Sequence, residues 1–264
     1  MPATTPNPLS VVKLGGSILT GPPAYQRCAD WLRDRLSAEP ARRLVAVVSA
    51  QLGETDALLA AAQAITPEPA PATLDLLWST GELRSVALLT LWLQRAGVRA
   101  VGLNVHECGV VAPNGQRDAA TTQVKTLRLQ YWLTRYPVVV VPGFLARAPF
   151  DSLVTLGRGG SDLTAVLLAA ALKADGCELI KDVPGYFSAD PNRVADARPL
   201  AALTYDQALT LAAEGCDLVQ TAAIEAAQRA GTKLVVRSLD DQAPHTTVSD
   251  HVALVAQTRA AAAV

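Results

Sequence analysis

The chain has no surplus of charge of either sign. Its 23 Lys and Arg stand against 24 Asp and Glu, giving a formal net charge of -1 over 264 residues and a pI near 6.3. A nucleic-acid groove or an anionic membrane face calls for a basic excess, so neither partner is expected from the overall balance. Long apolar runs are missing too. Half of the residues (50%) are hydrophobic, yet Arg, Asp, Glu, Gly or Pro interrupts every stretch short of the roughly 18 residues a transmembrane helix needs. The first ten residues, MPATTPNPLS, carry neither a charged n-region nor an apolar h-region. No signal peptide is expected there; residues 1–10 read as a disordered lead-in and the location as cytoplasmic.

Clustered metal ligands and redox pairs are absent as well. Cys28, Cys108, Cys177 and Cys216 form no CxxC pair and are expected to behave as small buried hydrophobes. His106, His245 and His251 show no HxxxH or HExxH spacing, so no protein-held metal is predicted. There is no internal repeat, no linker and no GxxxxGK[ST] phosphate loop. The length suits one large domain or two small lobes.

What is present is an alternation of strand-like and helix-like segments. LSVVKLGG is a short apolar run stopped by Gly15-Gly16, a buried strand and a tight turn. Residues 24–37 have helical spacing, RRLVAVVSA is a second strand ending at Ser49, and residues 56–65 a second helix. The Pro-rich TPEPAPAT reads as a loop. Residues 74–96 make one long helix or two, and VRAVGLNV a strand. Residues 108–116 are turn-rich, and a helical stretch falls within 118–136. YPVVVVPGF is the clearest strand, since four consecutive Val suit a strand covered on both faces. An Ala/Leu-rich helix then runs to about Lys173 and CELIKDV is a strand. TYDQALTLAAEGC and AAIEAAQRAG are helices, with Gly215 near the end of the first. TKLVVRS and HVALVAQT are predicted as the last strands. Strands alternating with helices predict an α/β fold around a largely parallel sheet.

Three segments carry chemistry. In KLGGS, Lys13 sits at a strand end, and Gly15, Gly16 and Ser17 follow. Glycines let backbone N–H groups approach an anion, and the lysine adds a point charge. An ordinary strand-to-helix turn with a surface lysine explains this segment equally well. In TLGRGGSD, Ser161 and Asp162 fall where a helix N-cap is expected, and Arg158 beside a helix N-terminus suits an anionic ligand. In KDVPGYFSADPN, Lys181, Asp182, Tyr186 and Asp190 follow a strand; strand-end Asp residues serve metals and nucleotides, but Asp, Pro and Gly also simply make turns.

Taken in order, KLGGS, VVSAQLGETDALL, STGELRS, VVVPGF, TLGRGGSDLTA and KDVPGYFSADPN resemble the motifs of the amino acid kinase family, and within it the catalytic domain of aspartate kinase. The resemblance runs from about Val11 to Ser238. It implies a three-layer α/β/α sandwich, with residues 11–264 as a single kinase domain: a substrate lobe over about 11–150 and a nucleotide lobe over about 151–264. It implies ATP with Mg²⁺ as cofactor, an amino acid as acceptor, a carboxylate phosphorylated to an acyl phosphate, a role in amino-acid biosynthesis, and a homodimer. By position, Lys13 would neutralise the transferring phosphoryl, Gly15 and Gly16 would cradle it beside Ser17, and Asp162 would organise the lysine. Ser49 and Thr55 would contact the substrate, Glu82 would hold its ammonium with Ser85 alongside, and Arg158 with Ser161 would take its α-carboxylate. Lys181, Asp182, Tyr186 and Asp190 fall in the nucleotide-binding stretch. Arg198 stands where the family often has a second phosphate-contacting lysine.

The chain departs from that pattern in four places. KLGGSI replaces the usual KFGGTS, and the spacing between the second motif and Gly81-Glu82 is short. Gln220 stands where a histidine is frequent. The paired regulatory domains are expected to be missing, and allosteric control by lysine or threonine with them. Two other functions remain open: a kinase of the same fold for another small acid or phosphate acceptor, and a ligand-binding or partner subunit with little activity alone.

Overall fold

Strands and helices alternate through most of the chain in the computed structural model, which describes residues 7–115, 121–157, 159–189, 191, 194 and 196–250. In chain order the elements are β1 (Leu9–Leu14), α1 (Pro22–Ala38), β2 (Arg43–Val48), α2 (Glu54–Ile65), α3 (Pro71–Arg95), β3 (Ala100–Gly102), β4 (Val110–Val111), β5 (Gln123–Val124), α4 (Leu127–Leu133), β6 (Val138–Pro142), β7 (Leu145–Arg147), β8 (Leu153–Thr155), α5 (Gly160–Leu172), β9 (Gly176–Ile180), β10 (Ala202–Leu203), α6 (Tyr205–Ala213), α7 (Thr221–Ala230), β11 (Leu234–Arg237) and β12 (Thr246–Val248). Eight strands form the main sheet in the order β10-β12-β11-β9-β1-β2-β6-β3. Neighbours in it are parallel except β11 and β12. This is the expected α/β architecture. Strands from both expected lobes share the one sheet.

Side chains alternate across a strand, and the sheet divides its apolar residues accordingly. Val11, Val45, Val47, Val139 and Val141 face a core completed by Leu163 and Val166 of α5, Ala208 of α6 and Ile224 of α7. Val12, Leu14, Ala46, Val48, Val138 and Val140 face the opposite core, with Leu32 of α1 and Leu89 and Leu93 of α3. Helices on both faces explain why the valine run carries no polar alternation. Lys13 follows Val11 in the alternation, so its side chain leaves the sheet on the α5 side.

Several details differ from expectation. β1 begins at Leu9, inside the span read as a lead-in. The segment 71–95 is one helix of 25 residues that starts within the Pro-rich stretch; Pro71 fits there because a first-turn residue needs no intrahelical N–H. A second sheet, β5-β4-β7-β8, was not foreseen: its strands have two or three residues, too few to show a period. The expected final strand HVALVAQT lies outside the described residues, and β12 precedes it. On the α1 face, Arg35 reaches Glu178 of β9 with both terminal nitrogens, at 2.9 and 2.6 Å, and stacks over Trp31.

Leu89 is fully buried between α3 and the sheet. Leu89→Ala is expected to destabilise the fold by about 2–5 kcal/mol through lost transfer energy and a cavity, read as a lower urea midpoint with an unchanged slope.

Candidate active site

The order β9-β1-β2 makes the carboxyl ends of β1 and β9 a switch point: β1 connects through α1 to β2 on one side, and β9 returns on the other. Ligands of open α/β sheets sit in such crevices. Here the two strand ends deliver Lys13 and Lys181, and the first turn of α5 places Asp162 between them. Lys13 Nζ lies 2.7 Å from Asp162 Oδ1, and Lys181 Nζ lies 2.9 Å from Oδ2. All three side chains are nearly enclosed, at 9, 12 and 3% exposure in the order Lys13, Lys181, Asp162. Burial pushes the Asp162 carboxyl up, but the two ammonium groups outweigh it and hold it below the usual range. Lys181 is lowered, by burial first and then by the like charge of Lys13 against the pull of Asp162.

Backbone geometry makes room for this cluster. A Cβ on Gly15 would stand 2.8 Å from Lys13 Nζ, so glycine lets the ammonium lie over the turn. The N-cap of α5 is Gly159, in the left-handed region at φ 73°, and not Ser161 or Asp162 as expected; those two sit inside the first turn. Glycine is needed there on both counts, because a Cβ would also overlap the Gln220 side chain. Asp162 in that first turn gains from the positive end of the α5 dipole. Phe144, in the cleft wall, is a non-glycine residue with positive φ, at 67°. Its N–H donates to Thr164 Oγ1 at 3.1 Å and its carbonyl accepts from Leu156 N–H at 2.7 Å. A strained residue over-determined by its surroundings is a frequent mark of a working site.

A cleft of about 560 Å³ opens above these groups. Its other wall is α3, which presents Trp78 and Glu82, one turn apart on the same face. Glu82 is 3% exposed and its Oε2 has no hydrogen-bond partner. Burial pushes its carboxyl from the ordinary 4.5 up to about 8, against the opposing backbone bond from Ala50 and the charge of Lys13, and with the neighbouring Glu54 adding to the rise. Ionising a buried carboxyl whose second oxygen has no partner is costly, and an incoming cation stabilises the ionised form. The cleft therefore holds a positive cluster and, on the α3 wall, a buried acidic group.

Comparison with known proteins gives this arrangement its family. The model of the amino acid kinase family matches residues 8–238. The chain belongs to the amino acid kinase family. An aspartokinase of Thermus thermophilus is 40% identical over 212 residues, covering 80% of this chain and 52% of that protein. The crystal structure of aspartate kinase from Synechocystis matches with a TM-score of 0.80 and 38% identity over 93% of this chain and 40% of that one. E. coli aspartokinase III in complex with aspartate and ADP matches with a TM-score of 0.80 and 26% identity, over 93% of this chain and 65% of the other. The chain spans about half the length of the curated relatives it matches.

In this member of the amino acid kinase family the cleft gathers many of the expected residues: Lys13, Gly16, Ser49, Thr55, Glu82, Ser161, Asp162 and Lys181 line it. Gly15 lies under the Lys13 ammonium. Ser17 and Asp182 sit outside the lining and join the two strand-end turns through a Ser17 Oγ–Asp182 Oδ1 contact of 3.4 Å. Ser85 is not brought to the cleft: it is buried against α1, sharing a 2.7 Å hydrogen bond with the Tyr25 hydroxyl. Tyr186 is also off the lining. It packs in the α5-side core with a hydroxyl that finds no partner, and burial pushes that hydroxyl up. Arg198 is exposed, with its backbone N–H bonded to Ser188 Oγ at 3.0 Å. Arg158 and Asp190 lie outside the described residues. Trp78, Phe144, Thr155 and Asp217 also line the cleft and were not anticipated. Trp78 was within reach, standing one helical turn before Glu82; Asp217 gave no signal.

The raised Glu82 carboxyl means that the native state holds this proton more tightly than the unfolded chain does. Linkage then makes stability fall as pH rises from about 4.5 to about 8. Glu82→Gln cannot ionise and is expected to remove that slope, a difference on the order of 4 kcal/mol at 1.36 kcal/mol per unit. Urea unfolding of both proteins at about pH 5 and about pH 8.5 measures it; equal slopes would place the proton elsewhere.

Proposed function

We propose that this chain transfers the γ-phosphoryl group of ATP to the side-chain carboxylate of L-aspartate, giving 4-phospho-L-aspartate and ADP. The observation that carries the reading is Glu82, a buried carboxylate with an unpartnered oxygen in the same cleft as the Lys13–Asp162–Lys181 cluster. A zwitterionic amino acid can present its ammonium to the acid while an anionic nucleotide meets the lysines. The aspartokinase relatives support aspartate as the acceptor.

Phosphoryl transfer rests on positioning and on neutralising charge, with little covalent help from the protein. The acceptor carboxylate is already a nucleophile near neutral pH, so no general base is required. Its oxygen forms a bond to the γ-phosphorus as the bond to the leaving ADP oxygen breaks. Lys13 sits at the strand end to meet negative charge on the moving group, with the Gly15 and Gly16 backbone and Ser17 beside it. Lys181 faces the nucleotide phosphates. Asp162 holds both ammonium groups in place. Ser49, Thr55 and Ser161 offer hydroxyls to the acceptor. By resemblance, Arg158 pairs with the α-carboxylate, and Asp182, Tyr186, Asp190 and Arg198 belong to the nucleotide side. Ser85 acts through the α1–α3 packing that fixes the helix bearing Glu82. Mg²⁺, when bound with the nucleotide, would supply further charge neutralisation to its phosphates. Assembly as a homodimer, a cytoplasmic location and a place in amino-acid biosynthesis belong to the same reading. No helix among the described residues is long and apolar enough to cross a membrane.

The test is ADP release with Mg-ATP and a panel of aspartate, glutamate, N-acetylglutamate, homoserine, UMP and isopentenyl phosphate, with hydroxylamine present to trap an acyl phosphate. Aspartate-dependent turnover with a hydroxamate product is expected; turnover on another acceptor alone would replace the substrate, and none on any would remove the kinase reading. Lys13→Ala is expected to lower kcat by about 100-fold or more while moving the aspartate KM little, the pattern of a contact made in the transition state. Glu82 must lose its proton to receive an ammonium. So kcat/KM for aspartate is expected to rise with pH up to about 8, about tenfold per unit well below it. A profile flat from pH 6 to 9 would detach Glu82 from the acceptor.

A further inference from the structure

Among the described α-helices, α2 alone has no buried residue. Yet its Thr55, Asp56 and Leu59 line the cleft, so it forms one wall of the acceptor end. Such a helix gains little from the hydrophobic effect and depends on a few specific contacts for its place. Two contacts join its first turn to α3. Glu54 reaches across Gly81 to pair with Arg84 at 2.8 Å, and the Trp78 indole Nε1–H donates to the Thr55 carbonyl at 3.2 Å. The Arg84 side chain is 57% exposed, so that ion pair is screened and contributes little. The Trp78 bond is more sheltered. The indole is set in the cleft wall and held on its other side by Phe144, edge-on at 6.0 Å and 61°.

We propose that Trp78 is a positioning residue for the acceptor: its indole N–H latches the first turn of α2 to α3 and so holds Thr55 at the mouth of the site. The inference rests on the reading of the cleft as an acceptor site. One helix face then carries two jobs a turn apart, with Glu82 taking the ligand's charge and Trp78 keeping the opposite wall closed over it. Loss of the bond frees α2 to open about its ends. Gly53, in the left-handed region at φ 78°, lies at one end, and the loop 66–70 at the other.

Trp78→Phe keeps a ring against Phe144 and an apolar wall but removes the donor. In the full-length, ligand-free protein, amide exchange over residues 54–65 is expected to quicken about three- to tenfold, the factor carried by one neutral hydrogen bond, with β1 and α5 unchanged. The aspartate KM is expected to rise by a similar factor, with kcat and the ATP KM unmoved. Arg84→Ala serves as the comparison and is expected to change exchange over 54–65 by less than about twofold. Unchanged exchange in Trp78→Phe, a larger effect from Arg84→Ala, or faster exchange across α3 and α5 together with a lower Tm would each overturn the latch, the last by making Trp78 a core residue. If the wild-type protein does not act on aspartate, the proposed activity falls while the exchange measurement still decides the latch.

Discussion

Two ammonium groups share one buried carboxylate, and the site is organised around that imbalance. Lys13 and Lys181 arrive from different strands, and Asp162 satisfies both, but the trio carries a net positive charge in a place nearly closed to water. Removing Asp162 would leave two buried cations facing each other, among the most damaging changes a structure can suffer. Keeping it leaves a standing demand for an anion. The strand order, the turn glycines and the helix that begins at Gly160 all serve to hold this arrangement at the carboxyl edge of the sheet.

The two ends of the cleft are made from different materials. At the cationic end, backbone does much of the work: strand termini, glycine turns and the first turn of α5 meet there, where dipoles and N–H groups favour an anion. At the acidic end the work is done by side chains on α3. Asp75 receives the Thr155 hydroxyl at 2.8 Å and so ties the helix to β8, Trp78 reaches α2, and Glu82 faces the opening. Ser85, a turn further on, anchors the same helix to Tyr25 of α1.

How far the sequence led depended on the kind of signal. The valine run of β6 and the strand of β1 were legible because burial on both faces leaves an unbroken apolar stretch. Lys13 and Asp162 were legible because the motifs around them resemble a known family, not because their spacing shows that they meet; 149 residues of chain separate them, and only the sheet order brings them together. Ser85 shows the limit of that route: its motif neighbour Glu82 faces the cleft, while Ser85, one turn further along α3, meets the Tyr25 hydroxyl of α1. The cap of α5 went to a glycine because a left-handed residue was needed where Gln220 crowds the turn. The second sheet escaped notice because strands of two or three residues carry no periodicity. Trp78 stands just before the STGELRS motif and was not singled out.

A single helix of 25 residues bears the acidic group, the indole and the anchor to β8, and this has an evolutionary corollary. The acidic end of the cleft takes Trp78 and Glu82 from one helix, whereas the cationic end is assembled from strand ends and a helix start in distant parts of the chain. Substitutions at successive turns of α3 can therefore reshape the acidic end of the cleft while the strand-end lysines stay in place. A lineage built on this plan can vary one end of its cleft through a handful of positions while the other end stays fixed.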